Sequence, residues 1–423
     1  VRKYEGKFYL QIRRVFMKII NTKILLAGII LFVSVFVFHP LSLHAFENSF
    51  DNYGADNEFA IKLYSELSSV DSSNICFSPV SIFSALSMVY EGADGRSAEQ
   101  MEIVLDIPNS REERVGVFSE LFSLISSDRE SMQVQIANSL WVQEKYPVKS
   151  TYISLLKEIY LSEIMETNFI SQPEQSIANI NGWVEKKTKG KIVDLFQDGS
   201  IDDMTRLVLV NAVYFLGDWE SPFERSRTSE QEFKTGTGEI ERVPFMRKTD
   251  TLNYYSDDKI QVVELSYSGG DYSLLVLLPE KEDGLEELEK SLFPEVISRI
   301  EEGMTRERVE LHFPKYEMKK RIQLSSVLDV LGMSDIFSMK EADLTGICDE
   351  EGLYVSDVVH ASCFRVDEKG TEAAAATGIG IKAASIPVEP VLMNVDHPFI
   401  FILSHKKTKS FLFMGRVMDP SVN

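Results

Sequence analysis

The sequence predicts an α+β fold built on a large, mainly antiparallel sheet, and the order of two textures along the chain predicts it. The N-terminal third carries apolar residues at helical spacing. From about residue 134 onward come many short Val/Leu/Ile/Phe-rich runs bounded by Gly, Pro or charges, interrupted by further helical patterns. Helices first, then many strands with scattered helices, belongs to this class. No internal repeat and no long Pro/Gly/Ser linker divides the chain, so one domain follows the N-terminal segment.

Residues 57–67 read as a first helix. Ser78-Pro79 opens a second, SIFSALSMVYEGA, with a capping Ser before a first-turn Pro and Gly92 near the end. Residues 112–125 repeat the type. The strand runs are VQIANSLWVQ (134–143), RLVLVNAVYFLGDW (206–219), IQVVELSY (260–267), YSLLVLLP (272–279), RVELHFPKYEM (308–318) and FIFIL (399–403). Between them, TYISLLKEIYL, IANINGWVEKKT, LEELEKSLFPEVISRI and LSSVLDVLGM have helical spacing.

Residues 1–45 stand apart. Met17 precedes Lys18 and Lys23, an apolar run from Ile24 to Phe38 follows, and Leu43-His44-Ala45 offers a cleavage site. The expectation is an N-terminal extension and signal peptide at 1–45, removed to release a secreted or periplasmic domain at 46–423. An uncleaved segment would instead anchor the chain to a membrane. The apolar run falls short of the roughly 20 residues that a spanning helix needs.

The whole chain carries a formal charge of −21. The leader holds seven Lys/Arg and one acid, so its removal takes the remainder to −27. Such a surface disfavours nucleic acid and anionic membranes, and heparin-type binding is not expected. The two richest basic stretches, Lys186 to Lys191 and Lys319 to Arg321, are short and read as solvated faces. Three cysteines, Cys76, Cys348 and Cys363, are too few for a disulfide framework, and apolar neighbours make Cys76 and Cys363 buried thiols. Outside the leader only His312, His360, His397 and His405 remain, with no metal-type pairing, no GxSxG elbow and no complete phosphate-binding loop. The chain is therefore read as neither an enzyme nor a cofactor protein.

DEKGTEAAAATGIGIKAASIPVEP, residues 367–390, contains no aromatic residue in a chain with 10% aromatics. One alternate set is Thr371, Ala373, Ala375, Thr377, Ile379, Ile381; the other is Glu372, Ala374, Ala376, Gly378, Gly380, Lys382. The first set suits a core and the second is polar or small, which is the period of a strand with one buried face.

Six stretches in order then resemble the serpin family: NICFSPVSIFSALSMVYEGADGRSAEQM, INGWVEKKTKGKIVDLF, LVNAVYFLGDWESPF, VELHFPKYEM, GLYVSDVVHASCFRVDEKGTEAAAAT and DHPFIFILSHKKTKSFLFMGRVMDP. The resemblance implies three β-sheets, about nine helices and an exposed reactive-centre loop at about 368–390. It implies a monomeric suicide inhibitor without a cofactor. A serine protease attacks the loop, forms an acyl-enzyme, and is trapped when the loop inserts into the large sheet as a new strand. Carried over by position, Glu368, Lys369, Gly370 and Thr371 match the hinge, and Glu372, Ala373, Ala374, Ala375, Ala376 and Thr377 match the small-residue stretch of inhibitory members. The family spacing places the scissile bond at Ala384-Ser385, which suits an elastase-like or subtilisin-like protease; cleavage after Lys382 by a trypsin-like enzyme is the alternative. Asn74, Ser78, Ser81, Asn211 and His360 match the polar shutter beneath the sheet, and Trp219 matches the breach, where insertion starts. Gly378, Gly380 and Cys348 depart from the usual pattern, and Cys348, if exposed, would be open to oxidation. The absence of any Asn-x-Ser/Thr sequon points to a prokaryotic exported member. A non-inhibitory binding or chaperone-like protein of the same fold is the second reading.

Overall fold

The structure is a computed structural model and describes residues 54–108, 110–125, 132–160, 162–371 and 389–422. The leader and the stretch 372–388, with both candidate cleavage sites, lie outside these residues.

Helix α1 (Gly54–Val70) leads into β1 (Ile75–Phe77), and Ser78, extended at φ −110° and ψ 103°, turns the chain into α2 (Pro79–Tyr90). The Ser78 hydroxyl accepts from the Ser81 N–H, and Pro79 sits in the first turn where no N–H is needed. Every residue of α2 from Pro79 to Val89 is buried. The helices α3 (Gly95–Leu105) and α4 (Arg111–Ile125) follow. The middle of the chain alternates: β2 (Met132–Gln143), α5 (Ser150–Ile159), β3 (Glu163–Thr167), α6 (Pro173–Lys187), β4 (Leu207–Asp218). Four strands come next, β5 (Ser229–Lys234), β6 (Ile240–Ser256), β7 (Ile260–Ser266) and β8 (Tyr272–Pro279), followed by α7 (Leu285–Lys290) and α8 (Pro294–Gly303). The last third is β9 (Thr305–Pro314), β10 (Tyr316–Gln323), α9 (Ser325–Leu331), β11 (Val355–Val366), β12 (Gly370–Thr371), β13 (Val391–Asn394), β14 (Phe399–His405) and β15 (Phe411–Val417).

Nine α-helices occur among the described residues, as expected, but the strands form two hydrogen-bonded sheets where three were expected. The reason is β6. Its first part pairs with β5, most of its length pairs with β9, and Asn253 to Ser256 pair with β7, so one continuous strand joins two layers into a nine-stranded sheet. The second sheet runs β10-β11-β4-β2-β3, with β12 also on β4. Its β11/β4 pair is parallel.

Both faces of β4 and β11 are covered. Val213, Phe215, Phe364 and Val366 join the main core, while Val208, Val210, Ala212, Val359 and Ala361 pack against Ile177, Ile180 and Val184 of α6. Double coverage explains why LVLVNAVYF is almost continuously apolar. The run RVELHFPKYEM divides at Pro314-Lys315 into β9 and β10, which belong to different sheets. All three cysteines are buried. Burial, rather than the exposure weighed from the sequence, applies to Cys348, whose sulfur accepts the Glu350 N–H at 3.2 Å.

Gly415 in β15 lies where β1 and β14 approach from either side, and a Cβ there would overlap the Ile75 carbonyl oxygen and press on the Phe401 ring. Gly415→Ala is expected to cost about 1 to 3 kcal/mol through overpacking against backbone. A denaturant midpoint equal to that of the parent chain would contradict this.

Candidate functional site

Among the described residues the seam between β4 and β11 is incomplete. The parallel ladder runs from Leu207/Val355 to Tyr214/Cys363 and stops there, although both strands continue. Into the opening above that last pair comes β12. Gly370 pairs antiparallel with Asp218 and Thr371 with Gly217, so the chain has turned back between the strands. The Asp367 N–H donates to the Gly370 carbonyl at 2.9 Å and closes the turn. Gly370 is required at this approach: its φ is +155°, and a Cβ would overlap the Gly217 carbonyl oxygen. Thr371 is fully buried, and its hydroxyl shares a 2.8 Å hydrogen bond with the Tyr267 hydroxyl.

Trp219 holds the turn from the side. Its backbone N–H donates to the Lys369 carbonyl at 2.7 Å and its indole Nε1 donates to the Asp367 carbonyl at 3.0 Å. Its ring stacks on Tyr267 with centroids 4.4 Å apart. The Phe223 N–H donates to the Glu368 carbonyl at 2.7 Å. The Glu368 carboxylate accepts from Lys315 Nζ and from the Thr228 hydroxyl, each at 2.8 Å. Burial alone pushes this carboxyl up, but Lys315, the backbone and Thr228 outweigh it and hold the pKa below the usual range. The hinge residues Glu368, Lys369, Gly370 and Thr371 and the Trp219 position are therefore gathered at one place. Glu372 to Thr377, Lys382, Ala384 and Ser385 lie outside the described residues.

A second polar group lies lower on the seam, on the face toward α2. His360 of β11 and Asn211 of β4 stand opposite each other in register. Nε2 of His360 accepts the Ser78 N–H at 3.1 Å, which puts the ring proton on Nδ1, and Nδ1 donates to Asn211 Oδ1. The Asn211 amide donates to the Ser81 carbonyl at 3.0 Å, to the Ser81 hydroxyl and to Asn138 Oδ1, and Asn138 donates to the Ser84 hydroxyl at 3.0 Å. Asn74 is not in this group. Its side chain donates to the Asp419 and Val422 carbonyls and accepts from the Met418 and Asp419 N–H groups, fixing the C-terminal segment.

Sequence reading missed Asn138, Ser84, Tyr267, Lys315 and Thr228. Asn138 was detectable as an amide inside the apolar run VQIANSLWVQ, and Ser84 as the next step of the Ser78, Ser81 spacing along α2. Tyr267, Lys315 and Thr228 sit far from the hinge in sequence and carry no local signal.

Desolvation pulls the His360 pKa down to about 3. The folded value lies below the unfolded value of about 6.5, so between the two the unfolded chain binds a proton that the folded chain does not. Stability from this group is fully present above pH 6.5 and is lost as pH falls toward 3, by up to about 1.4 kcal/mol per pH unit. His397, whose pKa is raised, works the other way, so the comparison must be with a variant. His360→Gln is expected to be less stable at pH 7 and to lose less stability between pH 6.5 and 4.5. Parallel stability curves in denaturant titrations would refute the assignment.

Comparison with known proteins agrees with this geometry. The family profile for serpin (serine protease inhibitor) matches residues 54–420. An uncharacterized serpin-like protein of Thermococcus kodakarensis is 38% identical over 369 residues, covering 86% of this chain and 85% of its own length. Uncleaved ovalbumin superposes with a TM-score of 0.80 at 31% identity, over 86% of this chain and 99% of its own. Human thyroxine-binding globulin complexed with thyroxine superposes with a TM-score of 0.80 at 26% identity, over 88% of this chain and 99% of its own. The chain belongs to the serpin family.

Proposed function

We propose that this chain is an exported inhibitor of serine proteases that traps its target by inserting its own cleaved loop into the second sheet. The observation that carries the reading is β12. Gly370 and Thr371 occupy the opening between β4 and β11 as the first residues of an added strand, with Thr371 turned into the core against Tyr267. The sequence beyond offers a continuation: Ala373, Ala375, Thr377, Ile379 and Ile381 share the core-facing parity of Thr371 and include no charge, Pro or aromatic ring.

In this reading the protease serine attacks the Ala384 carbonyl carbon and the amine of Ser385 leaves, so the loop loses its C-terminal tether while the enzyme stays esterified to Ala384. Residues from Glu372 onward then pair with both β4 and β11, and the attached protease travels with them. Insertion separates His360 from Asn211, because these stand opposite each other on the two strands that must part. Their shared hydrogen bond opposes spontaneous insertion and is exchanged for new ladder bonds. The small Ala384 supports an elastase-like or subtilisin-like target, and the signal-peptide pattern at 1–45 supports action outside the cytosol. A binding role without inhibition, as the thyroxine complex of a relative illustrates, is disfavoured here by the small, uncharged core-facing set.

Two outcomes test this. Incubation with pancreatic elastase or subtilisin is expected to give an SDS-resistant adduct and to release a peptide beginning at Ser385; a peptide beginning at Ala383 would move the site to Lys382. Thr371→Arg puts a cation where the threonine is fully buried. It is expected to be cleaved as a plain substrate, and a covalent complex formed as well as by the parent chain would overturn the insertion mechanism.

A further inference from the structure

The two basic stretches that are separate in sequence meet on the outer face of the second sheet. Lys189, just past α6, places its Nζ 5.8 Å from the centre of the Tyr214 ring and donates to Gln133 at 2.7 Å. Lys319 of β10 stands opposite Cys363 of β11. Arg321 lies over the Phe196 ring at 5.6 Å, in the loop that follows α6. The Cys363 thiol feels the charges of Lys319, Lys191 and Arg365 together with that of Glu317. Cys363 and Tyr214 are the last pair before β11 and β4 part, so Lys189, Lys191, Lys319 and Arg365 lie beside the mouth of the opening, with Arg321 lower on the same face, in a chain of net charge −21. The acids nearby are Glu317, 3.3 Å from Lys319, Asp367, 3.3 Å from Arg365, and Asp218 at the top of β4.

The register identifies what meets this rim. The bond from the Asp367 N–H to the Gly370 carbonyl pairs residues 367 and 370, which sets 366 against 371 and 365 against 372. The faces agree with this. Val366 and Thr371 both turn into the main core, and Cys363, two residues before Arg365, belongs to the opposite cluster under α6. A strand continued past Thr371 in this register brings residue 372 to the outer face opposite Arg365, and that residue is Glu. It is the single charged residue of its parity before Lys382.

We propose that the cationic rim of the opening is the docking site for the Glu372 carboxylate, with Arg365 as its cross-strand partner, and that this pair fixes the register in which the loop goes in. The proposal rests on the insertion reading above. Arg365 is suited to the role because its side chain is 43% exposed and makes an ion pair with Asp367 that leaves guanidinium donors for a second carboxylate. A one-residue slip would turn Glu372 into the core and lose the pair, so a modest surface attraction is backed by a large penalty for the wrong register.

The test needs no protease. Fluorescent peptides with the sequence of residues 372–381, EAAAATGIGI, and its Glu372→Gln and Glu372→Lys counterparts are annealed to the full chain and to its Arg365→Gln and Arg365→Glu variants. On the parent chain at low salt the Glu peptide is expected to anneal about threefold to fivefold faster than the Gln peptide, and the ratio is expected to approach one in roughly 0.5 M salt. It should also approach one on Arg365→Gln, while Arg365→Glu should prefer the Lys peptide. The same Glu/Gln ratio on parent and Arg365→Gln would overturn the pairing while leaving insertion intact. Failure of every peptide to anneal to the parent chain would overturn the insertion reading and this proposal with it.

Discussion

The structure depends on an unfinished seam. β4 and β11 lie in the middle of a sheet covered on both faces, yet among the described residues the ladder between them ends at Tyr214 and Cys363. Unpaired backbone groups in such a place are costly, and the structure relieves part of that cost by folding Gly370 and Thr371 back into the top of the opening. Gly370 and Thr371 thereby form a short strand paired with β4 at the top of the opening. The turn that delivers it is held by Trp219, Phe223 and the Glu368–Lys315 pair, none of which requires the rest of the loop to be in place.

Two groups on the seam act in opposite senses. The hinge and Tyr267 draw the chain in on the core face, whereas His360 and Asn211 tie β11 to β4 further down. A buried neutral histidine suits the second task, because it can accept from Ser78 with one nitrogen and donate to Asn211 with the other without carrying a charge that would have to be desolvated. Asn211 in turn spreads its amide over Ser81 and Asn138, so the tie is part of a satisfied network anchored on α2. A network of that kind opens cooperatively or stays shut.

Much of this was legible in the sequence, and the exceptions have physical reasons. The Ser78-Pro79 cap, the helices flanking it and the doubly buried run of β4 follow from local chemistry and periodicity and are found where expected. β6 escaped notice because IERVPFMRKTDTLNYYS mixes charges and apolar residues along a strand that changes partners, and that same change of partners joins two expected sheets into one. The placement of the hinge depended on the family resemblance, since alternation alone cannot say which sheet a strand belongs to. Asn74 shows the opposite limit: the family match put it in the polar network, but the four hydrogen bonds of its side chain go to the C-terminal segment. The convergence of Lys189, Lys191, Lys319 and Arg365 is tertiary and has no signature in either basic stretch.

The central claim is that the opening between β4 and β11 is a vacant strand position. Amide hydrogen exchange before and after the loop is nicked between residues 382 and 390 tests it most directly. By alternation from Asp367 the Arg365 amide points into the opening, and no ladder bond joins it to β4 among the described residues. The account predicts that Arg365 and the amides of β4 facing it above the Tyr214/Cys363 pair change from fast to strongly protected exchange on nicking. Exchange at these amides that is the same in the intact and nicked chain would contradict it.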